Sequence, residues 1–297
     1  MRHGLIFLAV VLCGLGLFAV SDEAEAVTLI SDARLTLPEF AQKTGQDPGM
    51  YETRYAATGM IICSGVYSTA QLTIRHDVVT TAAHAFFDAD GRSRGNLSSC
   101  VFAIAIDGVQ HAIPIDANSL RVGSRDPYAV SPVHDWAVVR LTEGVPNARP
   151  YALGTAEAES AGTNIVMLAH RHRGWVHDGR KAIEACVIRT SHRIESASAR
   201  EIAIDCSAGE GASGSAIMLP GSSCAMVGIY VGWRSTHPDK AGPFSETHMN
   251  FGVAVEGPFR NAIMAMTNGP DTEPAQPPAV IPPVAQEPIR TQAASLH

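Results

Sequence analysis

Nowhere in its 297 residues does the chain carry a run of basic residues, and its formal net charge is −7. A nucleic-acid partner therefore has no electrostatic footing, because affinity for a phosphate backbone rests on clustered Lys and Arg. Internal repeats are absent, and so are long amphipathic helical patterns. Long apolar runs are scarce as well. The one that stands out, Gly4 to Val20, follows Arg2 and His3 and precedes Ala24-Glu25-Ala26. This reads as a signal peptide over residues 1–26 with a small-x-small cleavage site. The competing reading is an uncleaved anchor, for which such a run is at the lower edge of spanning length. Cleavage predicts a secreted or periplasmic protein with no stable membrane association, and the expected assembly is a monomer.

What is present is an ordinary globular composition, 46% hydrophobic, enough for a sizeable core. Residues 27–54 are mixed in pattern and read as an N-terminal arm or a propeptide. From residue 55 short apolar segments alternate with Gly, Asp, Asn and Pro, the pattern of an all-β chain. The first set, over 55–145, includes Thr58–Tyr67, Val78–Ala83, Cys100–Asp107 and Trp136–Leu141. The second, over 146–268, includes Asn164–Ala169, Ile183–Thr190, Arg200–Asp205, Ala216–Leu219, Cys224–Val231 and Asn250–Val255. Two strand-rich halves predict two β-barrels. Pro258–Met266 predicts a short terminal helix, with proline at its start. Residues 269–297 are rich in proline and read as a disordered tail.

Cleavage leaves five cysteines, an odd number, so at least one has no partner within the chain. Export permits disulfides. Cys63 and Cys100 each open a strand, and Cys186 and Cys206 flank a polar turn on apolar strands. The expected pairs are Cys63–Cys100 and Cys186–Cys206, with Cys224 buried and free. The alternative is that all five are small core residues.

The chemistry-bearing residues lie in three segments. Val78-Val79-Thr80-Thr81-Ala82-Ala83-His84 ends a β-branched strand on a histidine. His134-Asp135-Trp136-Ala137-Val138-Val139-Arg140-Leu141 sets an aspartate before an apolar strand. Ile204 to Ala216 places Ser213 among small residues and glycines, where the backbone can turn sharply and present a hydroxyl beside N–H groups. Alone, the last segment reads equally well as a flexible Gly/Ser loop. Together the three allow a nucleophile, a general base and a group that orients the base.

Thr-Ala-Ala-His, Asp-Trp-Ala-Val-Val-Arg-Leu and Gly-Ala-Ser-Gly-Ser-Ala each resemble a signature of trypsin-like serine proteases, over about residues 50–266. The pattern is most similar to the bacterial, glutamyl-endopeptidase-like branch. The order His84, Asp135, Ser213 is the order found in chymotrypsin-like members. The resemblance implies two antiparallel six-stranded barrels of chymotrypsin type, with His84, Asp135 and Ser213 as triad. It puts the oxyanion hole at the N–H groups of Gly211 and Ser213, and a protein or peptide as substrate.

It also puts Ser207 at the base of the primary pocket, where an aspartate would favour Lys or Arg. Tyr230 falls where glutamyl-specific relatives carry a histidine. Val231, Gly232 and Trp233 are expected to pair with substrate backbone, and Glu210 is an acid that could reach the pocket. Trp233 reads equally as a surface aromatic. Ala212 and Ser215 depart from the animal motif and leave open a weakly active or inactive binding protein of the same fold. Ala212 also cannot pair with a new N-terminal amine. The tail is too short for a PDZ domain. No cofactor or metal ion is expected: His170, His172 and His177 lack a Cys or carboxylate partner and read as a solvated loop.

Overall fold

The computed structural model describes residues 28–29, 32–173, 175–177, 179–221, 224–238 and 240–269, with the backbone alone at 156 and 157. The signal-peptide reading and the proline-rich tail beyond Gly269 lie outside the described residues. Among the described residues no helix is long and apolar enough to cross a membrane.

The first elements are a short strand and two helices: β1 (Leu35–Thr36), α1 (Leu37–Lys43) and α2 (Pro48–Arg54). Their starts are written locally. Thr36 accepts from the Glu39 N–H while the Glu39 carboxylate accepts from the Thr36 N–H, a reciprocal cap. Asp47 caps α2 and Pro48 follows it. The segment is not confined to the barrel that follows it in sequence. β1 pairs with β10 of the second barrel (Ala182–Ile194), through Leu35 opposite Ile183.

The first barrel is closed and six-stranded: β2 (Thr58–Cys63), β3 (Val66–Leu72), β4 (Val78–Thr81), β5 (Val101–Ile106), β6 (Val109–Val122) and β7 (Ala137–Leu141), in the order β2-β3-β4-β7-β6-β5. The stretch Thr58–Tyr67, expected as one strand, is a hairpin. Ser64 (φ 47°) and Gly65 (φ 81°) both adopt positive φ, which reverses the chain within two residues. Asp107 (φ 51°) and Gly108 (φ 78°) do the same between β5 and β6.

The second barrel follows β8 (Ala152–Leu153). It comprises β9 (Asn164–Ala169), β10, β11 (Ala199–Ile204), β12 (Ala216–Met218), β13 (Ala225–Ser235) and β14 (His248–Ala254). The order β9-β10-β11-β14-β13-β12 closes through β12 on β9. Two closed six-stranded antiparallel barrels are thus the architecture: the strand pattern predicts the two barrels, and the resemblance implies the six strands in each.

The last element, α3 (Gly257–Thr267), returns to the first barrel and packs on β4 and β7. Its Phe259 ring stacks on Trp136 at 5.3 Å, and Ile263 and Met266 are buried beside it. Arg75, paired with Asp77, donates to the Gly269 carbonyl oxygen at 2.6 Å. One disulfide joins Cys63 at the end of β2 to Cys100 before β5. A second joins Cys186 on β10 to Cys206 after β11. Cys224 is free and buried, and burial raises its thiol pKa, which favours the unreactive protonated form.

Candidate active site

A cleft of about 1060 Å³ runs between the barrels, and His84, Asp135 and Ser213 all line it. Each side chain is placed by a chain reversal at the end of a strand. β4 stops at Thr81, and a single 3-10 turn, Ala83–Ala85, carries His84. The turn Pro132–His134 ends at Asp135, just before β7. Asp135 is 6% exposed. Its Oδ2 is 2.6 Å from His84 Nδ1, and its Oδ1 accepts from the His84 backbone N–H at 3.0 Å. Both carboxylate oxygens are thus spent on one residue. The imidazole is held with its Nδ1 side toward the carboxylate, which fixes the orientation of the ring.

Arg94 donates from Nε to the His84 carbonyl oxygen at 2.9 Å, and the Tyr128 ring lies 5.8 Å from the imidazole.

Ser213 sits on a loop fastened to the first barrel. The Gly211 carbonyl accepts from the Thr69 N–H at 3.1 Å and from its hydroxyl at 2.8 Å. The Ser68 hydroxyl donates to the Ser213 carbonyl at 2.8 Å. Inside the loop the Ala212 N–H reaches Gly209, the Ser215 N–H reaches Ala212 and the Gly214 N–H reaches Tyr230. Among the described residues the N–H groups of Gly211 and Ser213 meet no backbone carbonyl. N–H groups on the residue that carries the hydroxyl and two residues before it are the kind of donors that can hold an oxyanion.

The loop needs its glycines. Gly211 has φ +88° and Gly214 has φ +82°, and a Cβ on Gly214 would collide with the Thr69 carbonyl and the Thr81 hydroxyl. The two departures from the animal motif are accommodated. Ala212 and Ser215 are fully buried, and the Ser215 hydroxyl donates to the Ala212 carbonyl.

The remaining sequence-predicted residues divide. Glu210, Val231, Gly232 and Trp233 line the cleft. Glu210 is tied to Arg173 at 2.7 Å on the rim. Ser207 and Tyr230 are fully buried and do not line it. The Ser207 hydroxyl accepts from the Leu29 N–H at 3.0 Å. The Tyr230 hydroxyl donates to Asn250 at 3.3 Å, and the Asn250 amide donates to the Cys206 carbonyl at 2.8 Å.

The sequence reading passed over Tyr67, Arg94, Tyr128, Arg171 and Phe251, all in the cleft wall. They lie in segments without a motif, and only the fold brings them together.

His170 and His172 do not lie in a solvated loop, whereas His177 is half-buried, 3.6 Å from the Glu39 carboxylate. His172 is 1% exposed; its Nδ1 lies 3.2 Å from Arg34. Burial and the nearby charges of Lys181 and Arg171 push His170 down to about 4. Arg34 of the N-terminal segment packs against His172 and Trp175, while Arg173 and Val176 stay exposed. Among the described residues no three His, Cys, Asp or Glu side chains are grouped to hold a metal ion.

Comparison with known proteins agrees with the geometry. A family model described as "Trypsin-like peptidase domain" matches residues 63–229, more than half of the chain. A solved structure titled "Structure of Glu endopeptidase in complex with MPD" superposes with a TM-score of 0.60 at 13% identity. The match covers 82% of this chain and 100% of that one. At that identity the likeness establishes the fold. No curated protein matches the chain by sequence.

Proposed function

Because the chain belongs to the trypsin-like peptidase family, we propose that it is an exported serine endopeptidase, matured by removal of residues 1–26, that works through His84, Asp135 and Ser213. The observation that carries the reading is the bidentate grip of Asp135 on His84, at 2.6 and 3.0 Å, in the same cleft as Ser213. Two disulfides are in keeping with an oxidising compartment.

The Ser213 hydroxyl oxygen attacks the scissile carbonyl carbon while His84 accepts its proton. The carbonyl electron pair moves onto oxygen, and the N–H groups of Gly211 and Ser213 hold the resulting oxyanion. Loss of one such donor costs about 3 kcal/mol of barrier. Collapse breaks the C–N bond, and His84 returns the proton to the leaving amine. Water then attacks the acyl carbon while His84 accepts its proton; collapse breaks the bond to the Ser213 oxygen, and His84 returns the proton to that oxygen. Asp135 stays ionised throughout and stabilises the imidazolium.

Substrate backbone pairs with the edge at Val231, Gly232 and Trp233. With serine rather than aspartate at Ser207, bonded to the Leu29 N–H, and with Tyr230 tied to Asn250, position 207 brings no charge to favour a cationic side chain and position 230 no histidine to favour an acidic one. Small or medium apolar residues at P1 are the preferred substrates.

The test is labelling of the purified mature protein by a fluorophosphonate probe, with a peptide-library cleavage profile. Wild type should label and cleave. His84→Ala and Ser213→Ala should lose activity by several orders of magnitude while keeping the fold. Near wild-type hydrolysis by Ser213→Ala overturns the nucleophile assignment. Selective cleavage after Lys, Arg or Glu overturns the pocket assignment.

A further inference from the structure

We propose, resting on the endopeptidase reading above, that residues 28–29 and 32–34 act as a working strap of the active site, and that Glu184 is the positioning residue that joins this strap to the loop carrying Ser213. Glu184 is on β10 and is 2% exposed. One carboxylate oxygen accepts from the Ala33 N–H at 3.1 Å. The other accepts from the Ser207 N–H at 2.8 Å. The Ser207 hydroxyl in turn accepts from the Leu29 N–H, in a contact between residues 178 apart in sequence. Strap and loop therefore share one buried carboxylate and one buried hydroxyl.

The strap has further holds. The Thr28 carbonyl lies 3.3 Å from the Gly242 nitrogen and 3.3 Å from His248 Nε2. The Leu29 side chain is 1% exposed. Arg34 is paired with Asp32 at 2.7 Å, and its guanidinium reaches His172 and lies 5.8 Å from the Trp175 ring centre. Burial pushes the Glu184 carboxyl up to about 7, and the two N–H groups pull it back down. A carboxylate is well suited here because it offers an acceptor to each of the two donors.

The catalytic loop is thus fixed from two sides. Thr69 and Ser68 of the first barrel hold Gly211 and Ser213, where the oxyanion and nucleophile groups are. The strap and Glu184 hold the other end, at Ser207. That end adjoins the cleft wall formed by β13 and β14: Asn250 bonds to the Cys206 carbonyl and pairs with Trp233, and Trp233 and Phe251 line the cleft. Removing the strap leaves a buried Glu184 oxygen and the Ser207 hydroxyl without their donors, and that wall has to move. The Gly211–Ser213 end keeps its own anchors. The loss therefore falls on the binding of an extended peptide, more than on reaction of Ser213 with a small electrophile.

The test compares protein beginning at Val27 with protein beginning at Leu35, together with full-length Glu184→Gln and Ser207→Ala. Peptide KM and kcat, the fluorophosphonate labelling rate and thermal melting are measured for each. Glu184→Gln turns a donor toward a donor. It should raise KM about tenfold or more, the scale of one lost hydrogen bond to a charged group. Its labelling rate should stay within about threefold, the difference expected when the anchors at Gly211 and Ser213 survive. Strap deletion should do the same, and a synthetic peptide of residues 27–34 should restore KM.

Unchanged KM in Glu184→Gln overturns the proposal. So does a parallel fall of KM performance and labelling alongside lower melting, which marks a merely structural role. If the Leu35 form does not fold, the two full-length variants carry the decision. Failure of wild type to label sinks the endopeptidase reading, whereas labelling of wild type and all variants with equal KM sinks the strap alone.

Discussion

Glu159 should make the protein lose stability as pH rises, and Glu159→Gln should remove that loss. The Glu159 side chain is fully buried, and among the described residues neither of its oxygens has a hydrogen-bond partner. Arg200 stands 3.9 Å away, but Arg200 and Arg193 are also engaged by Glu256 at 3.5 and 3.1 Å. Burial is the largest influence and the charge on Glu256 adds to it. Together they push Glu159 from 4.5 up to about 8, against the opposing pull of Arg200 and Arg260.

The raised value fixes the sign. Below pH 4.5 the group is protonated in both states and costs nothing. Between 4.5 and 8 the unfolded chain ionises while the folded one keeps its proton, so stability falls with pH by about 1.4 kcal/mol per unit at most. From pH 5 to pH 7 the loss is on the order of 2–3 kcal/mol. Above about 8 the curve flattens. Glutamine has the same shape and no charge to lose. Urea unfolding followed by circular dichroism at pH 5, 7 and 9 gives the comparison. The advantage of Glu159→Gln over wild type should grow across this range. Glu184, raised to about 7, tilts both proteins alike and cancels. Parallel pH profiles for the two proteins would refute the reasoning.

Two further outcomes are expected. One extra residue before Val27 should leave kcat/KM within about twofold, because the apolar, fully buried Ala212 offers an inserted amine no counter-charge; a collapse by orders of magnitude in a progress-curve assay would contradict this. Gly214→Ala should abolish fluorophosphonate labelling, because its φ of +82° and the nearby Thr69 carbonyl leave no room for a methyl group; labelling at the wild-type rate would show that the loop can relax.

The barrels were legible because their strands alternate with turn residues, and the three segments that meet at the cleft because each carries chemistry-bearing residues near a strand end. Other parts were hidden for identifiable reasons. The run of β-branched and apolar residues on either side of Ser64-Gly65 disguised a tight hairpin as one strand. The caps of α1 and α2, Thr36 with Glu39 and Asp47 with Pro48, were written in the sequence. They went unread because the helices they start are only seven residues each and have no strong apolar stripe. Ser207 and Tyr230 are named by position in the motif, but their exposure depends on Leu29 and Asn250, which are remote in sequence. Tyr67 comes from the start of β3, and Tyr128 and Arg171 from two separate loops, so no local pattern could assign them to one cleft.

The two ends of the chain are crossed. The segment that precedes the first barrel lies on the second, through β1 on β10, and the helix that follows the second barrel lies on the first, through Phe259 on Trp136. The first barrel is not covered until the far end of the chain has arrived, while the second carries the segment that was made first. As the chain emerges from the ribosome, the first barrel has all six strands after Leu141 but must wait for residues 257–267 before the apolar surface at Trp136 is covered. Contacts spanning more than a hundred residues slow folding, because a long loop must close before they form. A half-made chain of this kind exposes unpaired apolar surface in the interval and is prone to aggregation. The same crossing makes the finished molecule cooperative: loosening either terminus uncovers the opposite half, so the two barrels should melt as one unit and a protease that trims either end should destabilise both.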